Sequence, residues 1–229
     1  MNGSAPRSCV PVAKIEDDCY DWTQRHELKR KSVRENQYDI VFIGDSITHF
    51  WCGESGADLG SSVWHKAFDH RAVLNLGYGY DRTQNVLWRI SNGGELDNQN
   101  PSLFVVNIGT NQFSLTSNYD GDTPEVAAEG VRTVWRKLHE MFPHARIVAM
   151  ALFPRGGKSM EIAGTNELLK RYAPECPWVT LLDIGGRLGD ESGNPIPENY
   201  QPDLCHLAVP GYRIWADALT PFLPPAKSK

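Results

Sequence analysis

Long apolar runs, surplus positive charge and paired cysteines are all scarce in this 229-residue sequence, and each shortage removes a class of function. No stretch approaches the roughly 20 apolar residues that a membrane-spanning helix requires, so no membrane span is expected. Lys and Arg number 23 against 28 Asp and Glu, a net charge of −5, which gives no basic footprint and argues against nucleic acid as a partner. The five cysteines, Cys9, Cys19, Cys52, Cys176 and Cys205, are odd in number and form no C-x-x-C pair, so neither a zinc site nor a disulfide scaffold is indicated. One bridge, Cys9 to Cys19, stays open. The seven histidines make no metal pattern, since His139 and His144, five apart, point to different faces of a helix. Met1-Asn2-Gly3-Ser4-Ala5-Pro6 has no hydrophobic signal region, so the cytoplasm is the default location, with secretion or the periplasm open if a leader has been removed. No Pro/Gly/Ser-rich linker and no repeat divides the chain. It reads as one domain over 14–224 behind a polar, flexible tail at 1–13.

What the chain does contain is an alternation of apolar runs and amphipathic stretches. A helix is expected from Ile15 to about Asn36, packed by a stripe of Ile15, Cys19, Trp22, Leu28 and Val33. Strands are expected at about 38–43, 72–76, 103–108, 145–150 and 178–183, each apolar enough to be covered on both faces. Asp81 is placed to cap a helix through Val86-Leu87-Trp88-Arg89-Ile90. Thr123-Pro124 opens a long helix whose apolar face is Ala127, Val131, Val134, Trp135, Leu138 and Phe142. A weaker helix covers 159–173, and a last one, about 208–222, buries Tyr212, Trp215, Leu219 and Phe222. Parallel neighbours need crossover helices, so this order predicts a three-layer α/β/α sandwich on a parallel sheet of about five strands.

The chemistry-bearing residues cluster where those strands end. Tyr38-Asp39-Ile40-Val41-Phe42-Ile43 runs into Gly44-Asp45-Ser46-Ile47, which delivers Ser46 to a strand's carboxyl end, where open α/β sheets hold their ligands. Gly77-Tyr78-Gly79-Tyr80-Asp81 follows the second strand, Gly109-Thr110-Asn111 the third, and Asp203-Leu204-Cys205-His206 precedes the last helix. An Asp and a His three apart sit beside each other and can reach a serine together. The order Ser, Asp, His matches α/β hydrolases, yet no G-x-S-x-G elbow is present.

On these blocks the sequence resembles the SGNH (GDSL) hydrolase family, and within it is similar to platelet-activating-factor acetylhydrolase catalytic subunits and bacterial carbohydrate acetylesterases. The resemblance runs from about Asp39 to Tyr212 and extends to Asp81-Arg82-Thr83-Gln84-Asn85-Val86-Leu87-Trp88-Arg89-Ile90, Asn92-Gly93-Gly94-Glu95-Leu96 and Leu152-Phe153-Pro154-Arg155-Gly156. It implies a flavodoxin-like fold and a cofactor-free, metal-free esterase with Ser46 as nucleophile, His206 as base and Asp203 as its orienting partner. It also implies an oxyanion hole from the N–H of Ser46, the N–H of Gly79 or Tyr80, and the side chain of Asn111. One departure stands out: where the family has glycine before the Asp of its second block, this chain has Tyr80. A main-chain donor survives that change if the tyrosine backbone is allowed there.

A small-molecule or carbohydrate acetyl ester is the expected partner, with room left for a homo-oligomer. The alternative is a platelet-activating-factor-like or broad short-chain esterase. Asp45, Trp51, Tyr78 and Phe113 neighbour the motifs and are assigned to substrate binding; with Phe50 and Tyr80 the rings would stack on sugar faces or else belong to the core. Gly77-x-Gly79 also resembles a dinucleotide loop, but Arg82 takes the third glycine's place and the motif follows the second strand. A binding module without catalysis would not need Ser46, Asp203 and His206 together.

Overall fold

The structure, a computed structural model, describes residues 5–54 and 59–225. In chain order its elements are α1 (Trp22–Glu35), β1 (Ile40–Gly44), α2 (Ser46–His49), α3 (Ser61–Phe68), β2 (Val73–Gly77), α4 (Thr83–Ser91), β3 (Leu103–Asn107), the hairpin β4 (Leu115–Thr116) and β5 (Tyr119–Asp120), and α5 (Pro124–Met141). Then follow β6 (Arg146–Met150), α6 (Ser159–Tyr172), β7 (Val179–Leu182), α7 (Gly185–Leu188) and α8 (Val209–Leu219). The main sheet has five strands in the order β2-β1-β3-β6-β7, every pairing parallel. The chain leaves β1 for β2 on one side and returns to β3 on the other, so the crevice beyond β1 and β3 is the topological switch point.

The apolar strands are shared between two cores by their two-residue period. Val41, Ile43, Phe104, Val106, Ile147 and Ala149 face α4, α5 and α6, packing on Val86, Leu87, Val134, Trp135, Leu138 and Leu169. Ile40, Phe42, Leu103, Val105, Val148 and Met150 face α3 and α8, packing on Trp64, Phe68, Tyr212 and Trp215. Gly44 ends β1 as it must: a Cβ there would lie 2.1 Å from Thr48 Oγ1 and 2.5 Å from the Asn107 carbonyl oxygen. Only a bare backbone lets α2 fold back across the sheet edge.

Several expectations change. The first helix starts at Trp22, not Ile15, with Asp21 as its cap accepting the Gln24 N–H. Residues before it are committed elsewhere: Glu16 accepts from Arg82 and from the Thr116 hydroxyl, both at 2.7 Å. Nor is the buried face of α1 apolar, because Leu28 is exposed while Arg25, His26 and Lys29 lie inside with Trp22 and Val33. Their partners explain this, since Arg25 Nε donates to the Gly77 carbonyl and His26 Nδ1 meets Glu95 Oε1 at 2.7 Å. Asp81 does not cap α4; the Arg82 N–H is taken by Asn85 Oδ1, three residues on. The open Cys9–Cys19 bridge is not formed, and all five cysteines are free thiols. Residues 7–13, expected as a tail, lie on the domain: Ser8 is fully buried and accepts from Thr83 Oγ1 through its carbonyl, and the Val12 N–H donates to the Gln84 carbonyl.

A buried charge cluster joins α1, β2 and α4. Arg89, fully buried, donates to Asp81 Oδ2 (2.8 Å) and Glu95 Oε2 (2.7 Å), with its guanidinium 4.0 Å from the Tyr78 ring centre. Tyr78 and His26 satisfy the other Glu95 oxygen, and Trp22 Nε1 satisfies the other oxygen of Asp81. Arg89→Met removes the cation that bonds both of these buried carboxyl groups. The expected outcome is a loss of about 3–5 kcal/mol in urea unfolding, the usual result of leaving a buried charge without its partner.

Candidate active site

At the carboxyl edge of the sheet the four motif segments meet around one cleft of about 440 Å³. Ser46, the first residue of α2, is 8% exposed, and His206 Nε2 stands 2.8 Å from its Oγ. His206 Nδ1 lies 2.6 Å from Asp203 Oδ2, and Asp203 Oδ1 accepts the N–H groups of Cys205 (2.9 Å) and His206 (3.0 Å). With the carboxylate accepting at Nδ1, the imidazole carries its proton there and presents a bare Nε2 to the serine hydroxyl, a tautomer assigned from these partners. Burial pushes the Asp203 carboxyl up, but the hydrogen bonds from His206 and the two amides hold it below the usual range, so it is ionised at neutral pH.

The second block forms a tight turn in which the Asp81 N–H donates to the Tyr78 carbonyl and Tyr80 has φ of 59°. A positive φ at the third turn residue is the type II pattern, usually met by glycine. Gly79, one residue earlier, has its own constraint: a Cβ there would lie 1.9 Å from Asp18 Oδ2. The two candidate amides are therefore distinguishable. The Gly79 N–H donates to His49 Nδ1 at 3.3 Å, whereas the Tyr80 N–H has no acceptor among the described residues, and Tyr80 lines the cleft. Burial and the nearby cations Arg25, Lys29 and Arg89 push His49 down to about 2, which keeps its ring neutral and Nδ1 an acceptor. Asn111 also lines the cleft; its Nδ2 gives one hydrogen to the Asp81 carbonyl at 3.1 Å, and the other is left for a ligand oxygen.

Not every expected residue reaches the cleft. Trp51 is fully buried with its ring stacked 4.4 Å from Trp215, Tyr78 is fully buried against Glu95, and Phe113 packs with Ala127, Leu152 and Ile162. Asp45 is likewise sealed, its Oδ1 accepting the Ile47 N–H and its Oδ2 without a partner among the described residues. These four are therefore not among the residues that line the cleft: proximity in sequence to a motif is no guide to the face on which a ring lands. Phe50 and Tyr80 do line it, together with Asp18, Cys19, Arg155, Gly156 and Cys205, none of which the motifs single out for substrate. Arg155 and Gly156 carried a signal, since their stretch belongs to the family resemblance. Asp18 and Cys19 carried none. Among the described residues no three His, Cys, Asp or Glu side chains gather as a metal site would require.

Two measurements check the local physics. A left-handed backbone costs a tyrosine about 1–2 kcal/mol, and glycine gives back about 0.5–1 through chain entropy, so Tyr80→Gly is expected to melt within a few degrees of wild type. Tyr80→Val, with a branched Cβ, is expected to melt clearly lower. For Asp45, burial pushes the carboxyl from 3.8 up to about 7. The folded chain thus keeps a proton that the unfolded chain releases, so this group's contribution to stability is complete below about pH 4 and is lost as the pH rises to about 7. Urea unfolding of Asp45→Asn at pH 4, 6 and 8 should show its stability rising relative to wild type at each step. A constant difference would place the titration elsewhere.

The GDSL-like Lipase/Acylhydrolase family matches residues 42–214. Platelet-activating factor acetylhydrolase IB subunit alpha2 of Rattus norvegicus is 32% identical over 215 residues, 92% of this chain and 87% of its own length. Subunit alpha1 of Homo sapiens is 29% identical, covering 89% of this chain and 82% of its own length. Among solved structures, a GDSL-like lipase from Bacteroides thetaiotaomicron superposes with a TM-score of 0.67 at 16% identity, covering 87% of this chain and 95% of that one. A family two carbohydrate esterase from Clostridium thermocellum gives 0.57 at 15% identity, over 82% of this chain and 63% of that one. With its five-stranded parallel sheet covered by helices on both faces, the chain belongs to the GDSL-like lipase/acylhydrolase family and is an ester-hydrolysing enzyme.

Proposed function

We propose that this enzyme removes acetyl groups from O-acetylated substrates through an acyl-enzyme formed on Ser46. The observation that carries the reading is the unbroken line from Asp203 through His206 to Ser46, with bonds of 2.6 and 2.8 Å, opening onto the cleft. In the first step Ser46 Oγ bonds to the ester carbonyl carbon while His206 Nε2 takes its proton; collapse expels the alcohol, which takes that proton back. Water then attacks the acyl carbon as His206 takes its proton, the bond from Ser46 Oγ to the acyl carbon breaks with that proton passing to Oγ, and acetate leaves. The oxygen that becomes negative is held by the Tyr80 N–H, the Ser46 N–H and the free Asn111 amide hydrogen, and losing one such donor typically costs about 3–4 kcal/mol. His49 and Tyr20 act indirectly: both hold Gly79, one by its N–H and the other by its carbonyl, and so set the angle of the next amide.

A carbohydrate is the proposed alcohol portion, supported by a cleft lined with polar groups and the two rings Phe50 and Tyr80. The second reading, a lipid acetyl ester, draws on the relatives named platelet-activating factor acetylhydrolase. Both share the acetyl group. A series of p-nitrophenyl esters is expected to give acetate a kcat/KM at least about tenfold above butyrate, about 1.4 kcal/mol between competing transition states. Acetylated oligosaccharide set beside platelet-activating factor then decides the alcohol. Ser46→Ala should lose kcat by a factor on the order of 10⁶, as serine triads do, and a fluorophosphonate should label wild type at Ser46 alone. An active Ser46→Ala, or a label elsewhere, overturns the mechanism.

A further inference from the structure

We propose that Arg155 is a docking group for an anionic substituent, a carboxylate or a phosphate, carried on the alcohol portion of the ester; the proposal rests on the esterase reading above. Arg155 follows β6 and lines the cleft. Its guanidinium is held by one edge only. Nη1 donates to the Thr110 carbonyl (2.9 Å) and hydroxyl (3.4 Å), and Nη2 donates to Ser114 Oγ (3.1 Å). All three acceptors are neutral. A guanidinium has five N–H groups, and the edge formed by Nε and the second Nη2 hydrogen has no acceptor among the described residues. Nε is not sealed from solvent either. That edge is the fork which binds a carboxylate or phosphate with two parallel hydrogen bonds.

The contrast with neighbouring arginines is direct. Arg82 is neutralised by Glu16, Arg89 by Asp81 and Glu95, and Arg25 by Glu54, whereas Arg155 has no carboxylate within 4.0 Å among the described residues. The other acidic groups of the cleft are occupied or distant in role. Asp203 is bound to His206, and Asp18 lies against Gly79, at the β2 side. Asp45 is near enough to feel Arg155, but it is sealed in the interior and burial pushes its carboxyl up to about 7.

The Arg155 loop is joined to the loop that carries the base. The Gly156 N–H donates to the Leu204 carbonyl at 2.8 Å, which ties the Arg155 loop to the loop carrying Asp203 and His206. The Arg155 charge also reaches the Cys205 thiol, opposing the upward push of burial. The departing alcohol oxygen must face His206 to receive its proton, and Arg155 borders that side.

The test compares acetyl esters of one alcohol framework in four forms: neutral, carboxylated, phosphorylated and carrying a quaternary ammonium. Wild type is expected to favour the anionic forms over the neutral one by at least about tenfold in kcat/KM at low salt, the scale of a charge-assisted pair of hydrogen bonds, and to lose the preference as salt rises. In Arg155→Gln the anionic-to-neutral ratio should collapse toward one, with Arg155→Lys in between; a loss shared by all four forms leaves the ratio intact and overturns the proposal. Should Arg155→Gln fail to fold, competitive inhibition of wild type by the deacetylated alcohols tests the same point: the anionic products should bind more tightly than the neutral one, and equal binding overturns the proposal. The carboxylate and phosphate arms separate the two sources of charge. Preference for the quaternary ammonium form would assign recognition to Asp18 and overturn the Arg155 assignment. Absence of hydrolysis of every form would instead sink the acetylesterase reading on which the proposal stands.

Discussion

Asp81 is the residue through which the scaffold reaches the site, because each of its polar groups is spent on a different element. Its carboxylate is held by Arg89 and Trp22, its N–H closes the turn on the Tyr78 carbonyl, and its own carbonyl accepts from Asn111. Remove any of these and the turn that presents the Tyr80 amide loses its reference point. The site is therefore tied to a buried charge cluster whose members do not line the cleft. Such clusters add little net stability over an apolar core, but they allow only one arrangement of the groups they join.

The wall of the cleft opposite the sheet comes from the start of the chain. Glu16 pairs with buried Arg82, whose Nε in turn holds the Asn111 carbonyl, and Tyr20 donates to the Gly79 carbonyl. Asp18 and Cys19 are thereby set at the rim of a cleft otherwise built from strand ends. Farther back, Ser8 is buried between α4 and α5, donating to the Val126 carbonyl while accepting from Thr83. A segment of polar composition is thus bound by hydrogen bonds rather than by apolar area.

Backbone strain is concentrated at the same place. Among the described residues three non-glycine residues have positive φ, and two of them, Tyr80 and Leu204, lie in the turn from Tyr78 to Asp81 and in the loop that carries the Asp203/His206 pair. Each costs about 1–3 kcal/mol and persists only where surrounding contacts over-determine the geometry. Here those contacts are the Asp18–Gly79 approach on one side and the Gly156–Leu204 hydrogen bond on the other.

The sequence by itself determined the parallel sheet, its five strands and the residues placed along its carboxyl edge, because continuous apolar runs separated by amphipathic stretches admit few other arrangements. Ser46, Asn111, Asp203 and His206 could be named because their blocks resemble those of the family, and the alternation of strands and helices put all of these blocks on one edge of the sheet. Tertiary structure alone decided what filled the space between them. Trp51, Tyr78 and Phe113 went to the core and Asp18, Cys19 and Arg155 to the cleft, since the side to which a loop residue turns depends on its partners across the fold rather than on its own polarity. The same holds for α1, whose buried Arg25, His26 and Lys29 look like a solvent face until the carbonyls of β2 and the carboxylates of Glu54 and Glu95 are set against them. Apolar periodicity is a local property and survives in one dimension; pairing of buried charges is a property of contact, and contact exists only once the chain has folded.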